Sequence, residues 1–317
     1  MLPIPVRAPA RARRLAGAAP PGLGRPARPP RSPPRPEGPL VTTTTHSRHG
    51  TVERHGRRGS IRFERVLAHP VERVWDAITT PEGLAAWWLP FDASIDIDLT
   101  AGGLIAFTAP ELGEDAMTCE ILELDPPHRL VHTHFDRSIT LTWELTPDGD
   151  GCLLRLSQDT PDIAAALAEG HIVGLHHSLD RLEPALDAAP QAWDWDQLPV
   201  IEAEYRSRLL DAYVDGFRAG DHDAILACLT DDVTWDIVGH ATARGTAEFD
   251  ALIDGPEGAG LPRLTLDRTV AQDDVVAAFG TGEFDDADGV THSFRYADTF
   301  TFRAGLICAV ESYVVPT

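Results

Sequence analysis

Residues 209–245, LLDAYVDGFRAGDHDAILACLTDDVTWDIVGHATARG, decide how the second half of the chain folds. Leu209, Leu210, Tyr213, Val214 and Phe217 recur at helical spacing and make one apolar stripe, with Tyr213 inside it. Gly220 is a natural helix stop, and Asp221 is a natural cap for a second short helix over 223–229. Asp231 and Asp232 turn the chain into a strand over 233–238, which carries Asp236. A helix pair feeding a strand with an embedded carboxylate opens an α+β domain. Downstream, a helical segment (247–254) and a Gly/Pro loop lead into four strand-like runs: RLTLDRTVAQ, DVVAAFGTGEF, THSFRYADTFTFR and LICAVESYVV. Helices first and a curved antiparallel sheet after predict a cone-shaped α+β barrel with one open mouth.

The phase of the third run matters for chemistry. Tyr296, Asp298, Phe300 and Phe302 share one face, so a carboxyl sits among aromatics. Buried without a cation, it stays neutral and donates a hydrogen bond; nearer the strand end, it reaches water instead.

Upstream, AAPQAWDWDQLPVI (188–201) has two prolines and two tryptophans and contains the linker, taken as 191–202. Residues 60–190 begin with an alternating strand, IRFERVLAH, and two short helices opened at Pro70 and Pro81. A meander of six strands follows, then one long helix over 163–187 with Leu167, Ile172, Leu175, Leu179, Leu182 and Leu186 on its apolar face. This is a helix-grip α+β domain. Residues 1–58 are rich in Pro, Arg and Ala and carry only Glu37 and Glu53 as acids. Such composition cannot bury enough apolar surface to offset ordering, which predicts a disordered extension. Prolines throughout it rule out the unbroken apolar core of a signal peptide.

The net charge of −22 disfavours nucleic acid as a partner of the folded part, and every one of the 27 Lys+Arg positions is Arg. The 4 cysteines (Cys119, Cys152, Cys228, Cys308) are far apart, which argues for a reducing compartment, the cytoplasm. No apolar run approaches ~20 residues, so no membrane span is expected.

Two resemblances add to this reading. HPVERVWDAITTPEGLAAWWLP, DLTAGGLIAFTA, ILELDPPHRLVHTH, LTWELTPDGDGCLLRLS and HHSLDRLEPAL, in that order, resemble the START-like (SRPBCC) superfamily, in the branch named for the Hsp90 ATPase activator homologue. The resemblance spans 60–190 and implies a sheet gripping a long helix around a hydrophobic ligand cavity. AYVDGFRAGDHDAI, DDVTWDIVGHATARG and YADTFTFRAGLICAVESY resemble the SnoaL-like polyketide cyclases and ketosteroid isomerases of the NTF2-like superfamily, over 203–317. In the isomerase branch a Tyr on the first helix and a protonated Asp on a late strand form an oxyanion hole, and a second Asp shuttles the proton. Tyr213 and Asp298 match the two donors. Counted back from Gly239, Asp236 takes the base position; counted forward from Asp232, Ile237 does; His240 is the reserve. The resemblance also implies a homodimer through the open sheet face.

Each candidate also has a plain structural reading: a core tyrosine for Tyr213, a strand-end or solvated residue for Asp236. His132 and His134 share a strand face but no third ligand is marked, so neither a metal nor a cofactor is expected. His171, His176 and His177 read as flanking a cavity, and Trp87 and Trp88 as core. Two functions remain open. One is an acid–base isomerase or cyclase acting on a small hydrophobic cyclic ketone, polyketide- or steroid-like. The other is a non-catalytic pair of hydrophobic-ligand modules. Chaperone assistance would rest on a family name alone.

Overall fold

Between residues 58 and 67, side chains alternate between solvent and interior, and that alternation makes the strand against which the N-terminal domain assembles. The computed structural model describes residues 47–113, 116–254, 260–286 and 288–317. β1 (Thr51–His55) and β2 (Arg58–Leu67) are followed by α1 (Val71–Thr79) and α2 (Pro81–Ala85). Pro70 ends the strand and precedes α1 with extended backbone. Thr80 caps α2 by accepting from the Gly83 N–H at 3.1 Å, with Pro81 in the first turn where a missing N–H costs nothing. β3 (Ser94–Ile97), β4 (Leu104–Thr108), β5 (Met117–Asp125), β6 (Arg129–Thr133), β7 (Thr140–Asp148) and β8 (Gly151–Thr160) complete an eight-stranded sheet of order β1-β2-β8-β7-β6-β5-β4-β3.

The long helix expected over 163–187 is two helices, α3 (Ile163–Ala168) and α4 (His171–Leu186). Gly170 separates them in the left-handed region, φ 78°, which only glycine adopts at little cost. All six expected apolar positions on this pair are buried, and they pack on Ile61, Phe63, Leu141, Trp143, Leu154 and Leu156 of the sheet. Each such side chain contributes roughly 1.5–3 kcal/mol. Trp87 and Trp88 belong to this core and meet Trp143 edge to face.

Order begins before Ser60. Thr51–His55 pair with β2, so the expected disordered extension over 1–58 does not hold for its last residues. The expectation for 1–46 lies outside the described residues. Gly50 passes so close to Phe63 that a Cβ there would sit 2.6 Å from the ring.

The second half of the expected linker is helical: α5 runs Gln197–Ala219 as one element. Trp193, just before it, lies edge-on to His177 at 4.5 Å and under the Arg181 guanidinium. Tyr205 of α5 packs against the N-terminal core, while Leu210, Tyr213, Val214 and Phe217 belong to the second core. The Tyr205 hydroxyl accepts from the Gly50 N–H at 2.8 Å and pairs with His176 Nδ1 at 3.0 Å. His176 is fully buried, and its Nε2 faces Asp180, which also meets Arg48 and Arg65. Burial pushes the Tyr205 phenol up to about 12, so it stays a donor.

Gly220 ends α5 in the left-handed region, and Asp221 caps α6 (His222–Ala227) through the Ala224 N–H at 3.0 Å. β9 (Leu229–Ile237), β10 (Ala241–Arg244), α7 (Gly245–Ile253), β11 (Arg263–Gln272), β12 (Val275–Asp285), β13 (Thr291–Arg303) and β14 (Leu306–Pro316) follow. Their sheet has the order β10-β9-β14-β13-β12-β11, with β9 and β14 parallel. It does not close on itself: β10 and β11 are its edges, so the expected barrel is an open sheet.

Replacing Tyr205 by Phe strands the buried His176 ring and the Gly50 N–H. An unsatisfied buried group costs about 1–3 kcal/mol, so chemical denaturation should show a lower midpoint for Tyr205→Phe. Trp195→Phe, at an exposed ring, serves as the neutral control. Equal midpoints for the two variants would show that the network contributes nothing.

Candidate functional site

β13 sets the site. Tyr296, Phe300 and Phe302 are buried on one face, and Asp298 stands between them with the same orientation. Its neighbours across the ladder are Ala278 of β12 and Ser312 of β14, both buried. Helices cover this face. Tyr213 of α5 lies 5.4 Å from the Phe300 ring, 5.0 Å from Phe217 and 6.4 Å from Phe249 of α7. Trp235 of β9 stacks on Phe249 at 4.6 Å and donates its indole N–H to Ser312 Oγ at 2.9 Å.

Asp298 Oδ1 is buried and has no hydrogen-bond partner among the described residues. Burial raises the carboxyl from 3.8 to about 7, against a smaller pull downward from Ser312. The Tyr213 phenol is pushed well above its ordinary value, first by burial and then by the nearby Asp298 charge. The Tyr296 hydroxyl donates to the Thr265 carbonyl at 3.2 Å, and burial moves it up to about 12. The site therefore joins one carboxyl that titrates near neutrality to two phenols that keep their protons.

Two expected members are elsewhere. Asp236 is exposed and accepts from Thr242 Oγ1 at 3.0 Å. It follows Trp235, and strand alternation sends it to the opposite face of the sheet from Asp298. The inward positions of β9 near the site are Trp235 and Ile237, so counting forward from Asp232 gives the register that the fold uses. His240 is exposed in the turn after β9, its N–H donating to the Ile237 carbonyl at 2.8 Å. The structure thus groups Tyr213 with Asp298 and leaves Asp236 and His240 outside. Ser312 and Trp235 were missed; a lone Ser in the apolar phase of Val310, Ser312 and Val314 was the available signal.

In the N-terminal domain, His132 Nε2 accepts from the Trp143 indole at 3.0 Å and its Nδ1 lies 2.8 Å from the Thr133 carbonyl. Both ring nitrogens are used, and burial holds the ring neutral, down to about 4. His134, 6.0 Å from His171, is moved to about 3 by burial and then by its histidine neighbours. Among the described residues, no group of three or more His, Cys, Asp and Glu is placed to hold a metal. No helix there is long and apolar enough to cross a membrane.

Fold and site together define two successive α+β domains, the second with a buried carboxyl under an aromatic roof. Residues 68–187 match the family model described as Activator of Hsp90 ATPase homolog 1-like protein, and residues 210–310 match the SnoaL-like domain. The chain is a fusion of a domain of the first family to a SnoaL-like, NTF2-like domain. No curated protein matches it. Among solved structures, a conserved protein of unknown function from Enterococcus faecalis aligns at TM-score 0.41 and 21% identity, over 51% of this chain and 91% of its own. TerC, co-crystallised with polyporic acid, aligns at TM-score 0.34 and 25% identity, over 35% of this chain and 92% of its own. An LEH-like epoxide hydrolase from M. tuberculosis aligns at TM-score 0.32 and 21% identity, over 35% and 84%. Likenesses of this extent carry no reading of activity.

The folded protein holds the Asp298 proton more tightly than the unfolded chain does. Stability should therefore fall as pH rises from 3.8 to about 7 and level off above, by a few kcal/mol in all. Asp298→Asn removes that ionisation. Its melting temperature relative to wild type should rise across the same window; a difference constant with pH would show an ordinary carboxyl.

Proposed function

We propose that the C-terminal domain moves a proton next to the carbonyl of a small hydrophobic cyclic ketone, polyketide- or steroid-like, with Asp298 as the acid–base group. The observation that carries this reading is the buried, unpartnered Oδ1 of a carboxyl raised to about 7. A base is most effective when its pKa lies near the working pH. Ionised, Asp298 takes a proton from the carbon beside the carbonyl. Negative charge then develops on the carbonyl oxygen, where Tyr213, kept protonated by burial, donates. Protonated Asp298 returns the proton at the new position, so nothing is consumed. Asp236, on the far face, takes no part.

Turnover of a β,γ-unsaturated cyclic ketone provides the test. Asp298→Asn should lower kcat by ~10²–10⁴-fold and Tyr213→Phe by roughly 10²–10³-fold, while Asp236→Asn and His240→Gln leave it unchanged. Wild-type kcat/KM should rise with pH through about 7 as Asp298 ionises. Severe loss in Asp236→Asn with a silent Asp298→Asn would overturn the assignment.

The second reading, a hydrophobic-ligand module without turnover, is favoured by Asp236 lying exposed on the far face, away from Asp298. It holds if wild type turns over no such ketone yet binds a phenolic analogue, more weakly above pH ~7 as Asp298 ceases to donate. The N-terminal domain, in either reading, is proposed to take a hydrophobic ligand of its own. The 4 free cysteines support a cytoplasmic setting.

A homodimer through the outer face of the open sheet is part of the same proposal. Val270, Tyr313 and Val315 are exposed there at 57%, 47% and 61%. Sedimentation should give a dimer mass for wild type and a monomer mass for Tyr313→Arg; a monomeric wild type would reject it.

A further inference from the structure

The carboxyl of Asp298 has two oxygens in unlike surroundings. Oδ1 is buried with no partner among the described residues. Beside it, on the neighbouring strand, Ser312 is directly opposite Asp298 in the β13–β14 register and is 4% exposed. The Ser312 oxygen already accepts a hydrogen bond, from the Trp235 indole at 2.9 Å. An indole N–H only donates, so it commits Ser312 Oγ as acceptor and turns the hydroxyl proton away from itself. The polar group across the ladder from that hydroxyl is the Asp298 carboxyl.

Trp235 is itself held. β9 and β14 are parallel, with Trp235 opposite Val310 and Ile237 opposite Ser312, so the indole reaches diagonally to the serine. Its ring stacks on Phe249, which is fully buried on α7, and meets Phe217 of α5 edge to face at 6.0 Å. The donor is therefore fixed by two helices and two strands.

We propose that Trp235 and Ser312 are the positioning pair of the site: the indole orients the Ser312 hydroxyl toward the Asp298 carboxylate and so leaves Oδ1 as the oxygen that meets the ligand. The proposal rests on the reading of Asp298 as the proton-carrying group, and it names the atom and the two residues that aim it. In the proton transfer, the C–H proton passes to Oδ1 and back, while Ser312 keeps its own proton throughout. Other titratable groups around Asp298 do not compete. Tyr213 of α5, Tyr296 of β13 and Cys228 after α6 are all kept protonated by burial, Tyr296 up to about 12 and Cys228 up to about 11. Arg218 and Asp267 act on Tyr296.

A hydrogen bond to the ionised form holds a carboxyl down, so its loss lets burial act unopposed. The experiment is a pH titration of the Asp298 side-chain carboxyl by carbon NMR in the full chain, with aspartate labelled at the carboxyl and the signal assigned by its absence in Asp298→Asn. Ser312→Ala should move the midpoint upward by about one pH unit. Trp235→Phe should move it the same way by less. In the Ser312→Ala background, Trp235→Phe should move it no further, because the indole acts only through the serine. A merely structural role would make the two changes additive.

A midpoint unmoved by Ser312→Ala overturns the proposal, and so does full additivity. If Trp235→Phe does not fold, the Ser312→Ala midpoint alone decides. The function reading fails separately, through retained turnover in Asp298→Asn, and neither result depends on the other.

Discussion

Helix α5 is gripped at both ends by different cores, and both domains depend on that grip. At one end Tyr205 closes a buried polar network with His176 and the Gly50 backbone. Two turns later Tyr213 and Phe217 enter the aromatic roof over Asp298. A helix propagates rigidly over this distance, since each residue added forms one more backbone hydrogen bond. The segment joining the domains is thus a structural member of each. Its position sets the roof of the candidate site, and its anchor is a hydrogen-bonded histidine with no exposure to solvent.

The anchor and the site each keep a polar atom away from water without a hydrogen bond among the described residues. Around His176, Nδ1 pairs with the Tyr205 phenol at 3.0 Å, while Nε2, without a hydrogen bond of its own, faces the Asp180 carboxylate at 3.4 Å, and that carboxylate also meets Arg48 and Arg65. Around Asp298, one oxygen is left without a partner. A buried polar atom without a hydrogen bond is costly, and natural folds keep few of them. The aromatic shell of Tyr213, Phe217, Phe249 and Phe300 makes that cost tolerable, because each ring buries a large apolar area. The raised affinity of the carboxyl for a proton follows from the same dry surroundings.

Edge geometry shapes the rest of the second domain. β9 lies parallel to β14, although the other neighbours in this sheet pair antiparallel. That parallel register puts Trp235 within reach of Ser312. A shift of one residue would put Asp236 inside and Trp235 in solvent. The cost of exposing an indole that stacks on Phe249 and meets Phe217 edge to face outweighs any gain from burying a second carboxylate beside the first.

The amino-acid sequence alone determined the order and kind of most of the elements, because hydrophobic period and turn chemistry are local properties. Pro70, Asp162, Gly220 and Asp221 mark helix ends where the structure has them. The alternation of Tyr296, Asp298, Phe300 and Phe302 was enough to put a carboxyl on the buried face. Tyr213 was legible as a member of an apolar stripe facing a sheet. Tertiary structure decided everything that needed two distant segments in register. Asp236 and Ile237 compete for one inward position, and the choice depends on how β9 pairs with β14, more than seventy residues away. The Trp235–Ser312 bond has the same origin. The ordered strand at Thr51–His55 was hidden by polar, charged composition, since its place depends on backbone pairing with β2, with Val52 packed on the core and Glu53 paired with Arg62. The continuity of α5 into the expected linker was hidden too, because the partner of Tyr205, His176, lies on α4, 29 residues away in sequence.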